Sequence, residues 1–287
     1  MTLVGIDIGG SSVKGVLLRE GAITRDAQSA SYTRPDIDTL RGAFTSVADA
    51  LLDDAACAQV GICTPGILDA DGNTVKLSVN LPGLNGMHLP TEMHRVFAGQ
   101  PRVDVLPDAC ASAFGHWSAA RSPGRMLALV IGTGIGACVL DDGVPLHVVD
   151  GSPGHIGQID VGHVGTGPAP IGPDGGRGSL EAFIGAAALT ERFGSDRLQG
   201  WLDAPDDDPA FLALARAIRI CHAIYRPTTV ALLGGVGLRL APRHATIRAL
   251  VEDHLTGVAS PEWTLEFGMS DHAGALGAAL MAEQRVS

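Results

Sequence analysis

Aromatic residues make up only 4% of this 287-residue chain, and positive charge is scarce. Its 20 Lys and Arg stand against 31 Asp and Glu, for a net charge of −11. A surface that acidic repels a phosphodiester backbone or an anionic membrane, so neither nucleic acid nor membrane is expected as a partner. A small anion is not excluded, because backbone N–H groups and a metal ion reverse the sign locally. No hydrophobic run reaches the ~18 residues of a membrane helix. The N-terminus lacks the basic segment of a secretory signal. The five cysteines, Cys57, Cys63, Cys110, Cys138 and Cys221, form no C-x-x-C pair. Odd in number, scattered and flanked by apolar residues, they read as buried free thiols. A cytoplasmic protein in a reducing compartment is the expectation. There is also no G-K-[ST] phosphate loop, and no glycine fingerprint that opens a helix.

What the chain has is glycine and proline, 38 and 17 residues, within a hydrophobic content of 46%. Those values fit an α/β protein with many tight turns. Alternation and turn residues predict strands over 3–8, 13–19 and from 22 to about 32. Leu40, Phe44, Val47, Leu51 and Leu52 recur at helical spacing between Pro35 and about Asp54. Further strands are expected at 58–63, 102–106 and 228–233, and helices at 108–120, 180–194, 208–225, 238–256 and 271–284.

The segment "VGIDIGGSSVKGVLL" (Val4–Leu18) places an acid, Asp7, at the end of an apolar run just before a glycine turn. Gly9 and Gly10 leave the backbone open to a phosphate, and Ser11 and Ser12 add hydroxyl donors. A buried carboxylate is costly unless it is paired or near a metal, so Asp7 suits the water shell of Mg²⁺. The pattern recurs at constant offset: Gly10-Ser11-Ser12 falls on Gly132-Thr133-Gly134, Val16-Leu17-Leu18 on Cys138-Val139-Leu140, and Gly21 on Gly143. Two such turns, with Gly234-Gly235 at a later strand end, suggest two similar halves that bind a nucleotide. Asp108 follows a strand and opens a helix. It reads equally as an N-cap or as the base that accepts a proton from a substrate hydroxyl.

In their order along the chain, these motifs resemble the ROK family (repressor, open reading frame, kinase). "GIDIGGSSVKG" is similar to its first phosphate hairpin, "TPGILD" and "NLPGLNG" to two sugar-side loops, "LPDACASAFG" to the catalytic segment, "IGTGIG" to the second phosphate loop, and "LLGGVG" with "DHAGALGAAL" to the adenosine end. The resemblance covers nearly the whole chain. It implies an α/β fold of two actin-like (ribonuclease-H-like) βββαβα-type domains around a nucleotide and sugar cleft. Residues 1–107, joined by the last helix at about 271–287, would form the smaller domain, and 108–270 the larger. Asp108 is implied as catalytic base and Asp7 as the metal-side acid. Gly9, Gly10, Ser11, Ser12, Lys14, Gly132, Thr133, Gly134, Gly234 and Gly235 would lie along the nucleotide. Gly66, Asn80, Asp108, His155, Gln158 and Glu181 would lie along the sugar. Asn80 also reads as a turn residue, and Glu181 as a first-turn helix acid.

Departures from the family pattern fall on the sugar side. Pro107 stands where the family has Asn, and so lacks both the amide side chain and the backbone N–H. The family's G-E-x-G-H motif reads Gly154-His155-Ile156-Gly157-Gln158, which replaces the acid with His155 and a zinc-ligand histidine with Gln158. The zinc thiolates are absent too: the region of 172–179 offers Gly172, Asp174 and Ser179. An alternative zinc set of His155, Asp160 and His163 has no familiar spacing, so no structural zinc is expected.

The expected activity is therefore ATP- and Mg²⁺-dependent phosphorylation of a hydroxyl on a small carbohydrate (hexose, amino sugar or polyol), with polyphosphate open as a donor. The altered sugar positions argue against plain glucose. The alternative is a non-catalytic sugar- or nucleotide-binding relative. A repressor is disfavoured, because the first strand starts by about Leu3 and leaves no room for a helix-turn-helix ahead of it. By analogy with the family, a homodimer is expected.

Overall fold

Apolar residues at Val4, Ile6, Ile8, Val13 and Leu17 are fully buried on two strands joined by a four-residue turn. These are β1 (Thr2–Ile8) and β2 (Val13–Arg19), followed by β3 (Ala22–Gln28), helix α1 (Ile37–Leu51) and β4 (Gln59–Thr64). A small hairpin, β5 (Ile67–Leu68) with β6 (Val75–Leu77), leads through α2 (Leu89–Val96) to β7 (Arg102–Pro107) and α3 (Asp108–Ala120). The computed structural model describes residues 2–52, 57–121, 123–148, 154–162, 167–173 and 175–284.

Helix α1 starts where Asp36 accepts a hydrogen bond from the Thr39 N–H at 2.8 Å, a standard N-cap. It buries Leu40, Phe44, Val47 and Leu51 against the sheet. Each such side chain contributes roughly 1.5–3 kcal/mol of transfer free energy. The strand order is β3-β2-β1-β4-β7, with β1–β2 and β2–β3 antiparallel and β1–β4 and β4–β7 parallel.

The second sheet repeats this plan. Strands β8 (Arg125–Ile131), β9 (Ile135–Asp141) and β10 (Val144–Pro145) form the meander. Helices α4 (Leu180–Ile184), α5 (Ala186–Phe193), α6 (Arg197–Leu202) and α7 (Pro209–Tyr225) precede β11 (Thr229–Leu233). Short α8 (Gly234–Gly237), α9 (His244–Glu252) and β12 (Thr264–Phe267) complete it, in the order β10-β9-β8-β11-β12. The last helix, α10 (Ala273–Gln284), returns to the first sheet.

The chain divides into two compact units, residues 1–120 with 270–287, and 121–269. Helix α3 belongs to the first, so the division lies at Ala120/Arg121 rather than at 107/108. The physical reason is small-residue packing. A Cβ at Gly277 of α10 would collide with the Ala111 carbonyl of α3, and one at Gly61 of β4 with the Ala278 carbonyl of α10. Those backbones touch, and they hold α3 against α10 and α10 against the first sheet.

Three further differences from the sequence reading have local causes. Strand β3 ends at Gln28 because Ser29 turns inward, its hydroxyl accepting from Val13 N–H at 3.0 Å. The helix expected over 180–194 is broken at Gly185, whose N–H closes on the Glu181 carbonyl while α5 starts afresh. Strand β12, which had no counterpart in the sequence reading, has only Leu265 buried among its four residues. Among the described residues no helix is long and apolar enough to cross a membrane.

Candidate active site

Three strands of the first unit, β1, β4 and β7, run parallel and bring their C-terminal ends side by side: Asp7 pairs with Cys63, and Thr64 with Pro107. The carboxyl ends of parallel strands are where open α/β sheets place their ligands. Asp7 is half-buried there, and the Cys63 thiol donates to its Oδ1 at 3.4 Å. Asp108 is the first residue of α3, and its Oδ1 accepts the Ala109 N–H at 2.7 Å.

The electrostatics tie the three groups together. Burial, and then the Asp7 charge, push the Asp108 carboxyl up to about 7. Asp7 is also raised, mainly by burial, against opposing effects from the Cys63 hydrogen bond, Lys14 and His272. Burial and both carboxylates push the Cys63 thiol far up, so it is a hydrogen-bond donor and not a thiolate. Two acids whose surroundings resist ionisation, placed at a sheet end, mark a functional-site candidate.

The start of α10 packs against the same carboxylate. A Cβ on Gly274 would lie 2.7 Å from Asp7 Oδ2 and 3.2 Å from Ser112 Oγ, so glycine is what admits the helix N-terminus. Lys14 is the cross-strand partner of Asp7, but its ammonium donates to the Asp271 carbonyl at 3.1 Å and lies 3.8 Å from the Asp271 carboxylate.

Between β1 and β2 the turn is latched. Gly9 N–H donates to the Ser12 carbonyl at 3.0 Å, and the Tyr32 hydroxyl donates to the Gly9 carbonyl at 2.7 Å. Ser12 is buried and accepts from the Gln28 amide at 2.9 Å, while Ser11 is exposed and Gly10 partly so. Gly66 has φ +105, and a Cβ there would strike the Leu77 carbonyl, so backbone geometry alone requires glycine at that position. Asn80 sits half-buried between β6 and the helical turn Pro82–Leu84.

In the second unit the turn Gly132–Gly134 joins β8 to β9 and is closed by Gly132 N–H on the Gly134 carbonyl at 3.0 Å. Thr133 is exposed, and its carbonyl accepts the Ala186 N–H at 3.2 Å. A Cβ on Gly132 would meet no protein atom within 4 Å, so the turn faces open space. Gly234, at φ +78, and Gly235 open α8 just past β11.

Glu181 is buried in α4, a helix capped by the Ser179 hydroxyl, which accepts from Ala182 N–H at 3.2 Å. Its Oε2 accepts Ile135 N–H at 3.3 Å and the Gln158 amide at 3.4 Å. His155 is exposed at the start of the helical turn Ile156–Gln158. The loop that carries these residues is tied by Leu180 N–H to the Ile159 carbonyl at 3.0 Å and Val161 N–H to the Gly178 carbonyl at 2.9 Å. Gln158, Gly172 and Ser179 offer it only an amide and a hydroxyl, a donor set unsuited to zinc. Asp174 and His163 lie outside the described residues. Among those described, no group of three His, Cys, Asp or Glu side chains is placed to hold a metal.

The sequence thus pointed to Asp7, Asp108 and Glu181, and it missed Cys63, Tyr32 and Gly274. The only signal for Tyr32 was its rarity, one of two tyrosines in the chain. Cys63 was legible only as a core thiol, because the register that sets it beside Asp7 is a tertiary fact.

Comparison with known proteins identifies the family. The ROK family profile matches residues 3–205. The N-acetylmannosamine kinase of Shigella flexneri is 30% identical over 305 residues, which cover 99% of each chain. The glucokinase of Thermotoga maritima is 26% identical over 330 residues, covering 100% of this chain and 98% of the other. The crystal structure of a ROK family glucokinase from Streptomyces griseus, in complex with glucose and AMPPNP, superposes with a TM-score of 0.76 at 18% identity, covering 99% of this chain and 100% of that one. With a duplicated βββ meander, an acid at the end of β1, a second acid opening α3 and a family match over most of its length, the chain belongs to the ROK family.

Proposed function

We propose that this protein transfers the terminal phosphoryl group of ATP to a hydroxyl of a small carbohydrate, with Asp108 as general base. One observation carries the reading: Asp108 stands at a parallel-strand end, oriented by the Ala109 N–H, with its carboxyl pushed up to about 7. A carboxylate with a pKa near the working pH can take a hydroxyl proton and release it again. In the reaction the substrate hydroxyl oxygen bonds to the terminal phosphorus. The bond from that phosphorus to the bridging oxygen breaks, ADP leaves with the electron pair, and the hydroxyl proton passes to Asp108.

Mg²⁺ fits this site. The Asp7 charge reaches Asp108 and raises its carboxyl, while the Lys14 ammonium donates to the Asp271 carbonyl rather than to either acid. One or two carboxylates completed by substrate phosphates are the usual cradle of this ion. Asp7 would hold it, directly or through water, and the bound ion would neutralise charge on the transferring phosphate. The backbone of Gly9, Gly10 and Ser11, and that of Gly132, Thr133 and Gly134, would take the phosphates, with Gly234 and Gly235 toward the adenosine.

On the acceptor side Glu181 would accept sugar hydroxyl donors, with Asn80 and His155 as further contacts. Pro107 and His155 change the donors and acceptors around the ring, so the proposed acceptor is a hexose other than glucose, an amino sugar or a polyol. All five cysteines are buried thiols with no disulfide among them, which supports a reducing cytoplasm.

The test is ADP release across glucose, mannose, N-acetylmannosamine and cyclitols, with release of product repeated using polyphosphate as donor. Turnover of at least one sugar with ATP is expected. Sugars that raise Tm without any turnover would instead establish a binding protein.

A further inference from the structure

The carboxylate of Glu181 is not placed by its own helix alone. Helix α4 is only five residues long, and two N–H groups from elsewhere in the chain converge on Oε2. One is the backbone of Ile135, the first residue of β9 and the next after the Gly132–Gly134 turn. The other is the side-chain amide of Gln158, which closes the turn Ile156–Gln158. Gly157 makes the approach possible, since a Cβ there would lie 2.6 Å from the Ile135 carbonyl oxygen and 3.4 Å from Glu181 Oε2. Glu181 is 8% exposed whereas Gln158 is an exposed residue, so the amide sits between a buried carboxylate and solvent.

A buried carboxylate needs hydrogen-bond donors, and two donors on one oxygen also fix the plane in which the group presents itself. Glutamine does this without a charge of its own and without titrating.

We propose that Gln158 is a positioning residue for sugar recognition, one that acts through Glu181. Its amide N–H fixes the carboxylate as an acceptor, and Ile135 ties the Gly132–Gly134 turn to the same oxygen. The inference rests on the reading of Glu181 as a sugar contact, and the test separates the two.

Gln158→Met keeps the length and removes the donor, while Gln158→Glu keeps the shape and sets a second carboxylate against the first. Because position 158 is exposed, neither change threatens folding, which Tm will check. For Gln158→Met the sugar KM is expected to rise about tenfold, the worth of a hydrogen bond to a charged group, while kcat and the KM for ATP stay within about twofold. For Gln158→Glu the rise is larger than for Gln158→Met, because a second carboxylate then faces the first. Neither change adds to the effect of Glu181→Gln in the double variant.

A sugar KM within about twofold of wild type in Gln158→Met, while Glu181→Gln raises it, overturns the inference alone. Equal losses for ATP and in Tm, or full additivity with Glu181→Gln, also overturn it. An unchanged sugar KM in Glu181→Gln removes the sugar role of Glu181, and the inference with it.

Discussion

In the first hairpin, β1 and β2 set Asp7 opposite Lys14, and β1 and β4 set Asp7 beside Cys63. At the same places in the second unit, β8 and β9 set Val130 opposite Gly136, and β8 and β11 set Val130 beside Leu233. Both sheets have the same strand order and the same pattern of parallel and antiparallel pairs. The second copy shows that this framework forms with an apolar residue at the strand end. Asp7 is therefore not needed by the fold, which would be served better by valine. A carboxylate kept where burial opposes its charge, beside a second one under the same pressure, marks a functional-site candidate and suits the role proposed for Asp7.

A single substitution makes the first copy resemble the second. Asp7→Val should reduce turnover by about a hundredfold or more through loss of the metal-side acid, while Tm rises because a desolvated carboxylate is gone. Steady-state rates and a thermal melt check both halves of that expectation. The reverse change, Val130→Asp, brings the cost without the chemistry. It should destabilise the second unit by about 1–3 kcal/mol, measured by denaturant unfolding, and create no new metal dependence. Smallest is Cys63→Ala, which removes a weak thiol donor from Asp7. About a twofold change in kcat is expected with little change in stability, read from steady-state kinetics.

Much of this framework was legible in the sequence because it rests on local rules. Glycine turns between apolar runs marked both hairpins, and the offset that carried Gly10-Ser11-Ser12 onto Gly132-Thr133-Gly134 also carries β2 onto β9. The first turn holds one residue more than the second, so β8 starts one residue later than that offset predicts. Asp108 was visible as an acid between a strand and a helix. What could not be read were relations set by packing: the backbone contact of Gly277 with Ala111 that assigns α3 to the first unit, and the Cys63 thiol turned to Asp7. Lys14 shows the converse, since its place in the motif suggested phosphate and its ammonium lies on Asp271. Gln158 was legible as a departure from the family pattern, and only the structure gave it a partner in Glu181.

The role of Asp108 as proton acceptor is probed by Asp108→Asn, measured for kcat/KM across pH and for Tm. In the wild type kcat/KM should rise with pH through about 7, because the base must be unprotonated. The variant should lose about 10²–10⁴ in kcat together with that rise, while ATP binds with unchanged affinity. The sign for stability is opposite. A carboxyl whose pKa is raised by folding costs the folded state more as pH climbs from the ordinary carboxylate range to about 7. The Asn variant should therefore out-melt the wild type, by more at about pH 8 than at about pH 5. Near-normal turnover in Asp108→Asn, with the wild-type pH profile retained, would remove Asp108 from the proton transfer.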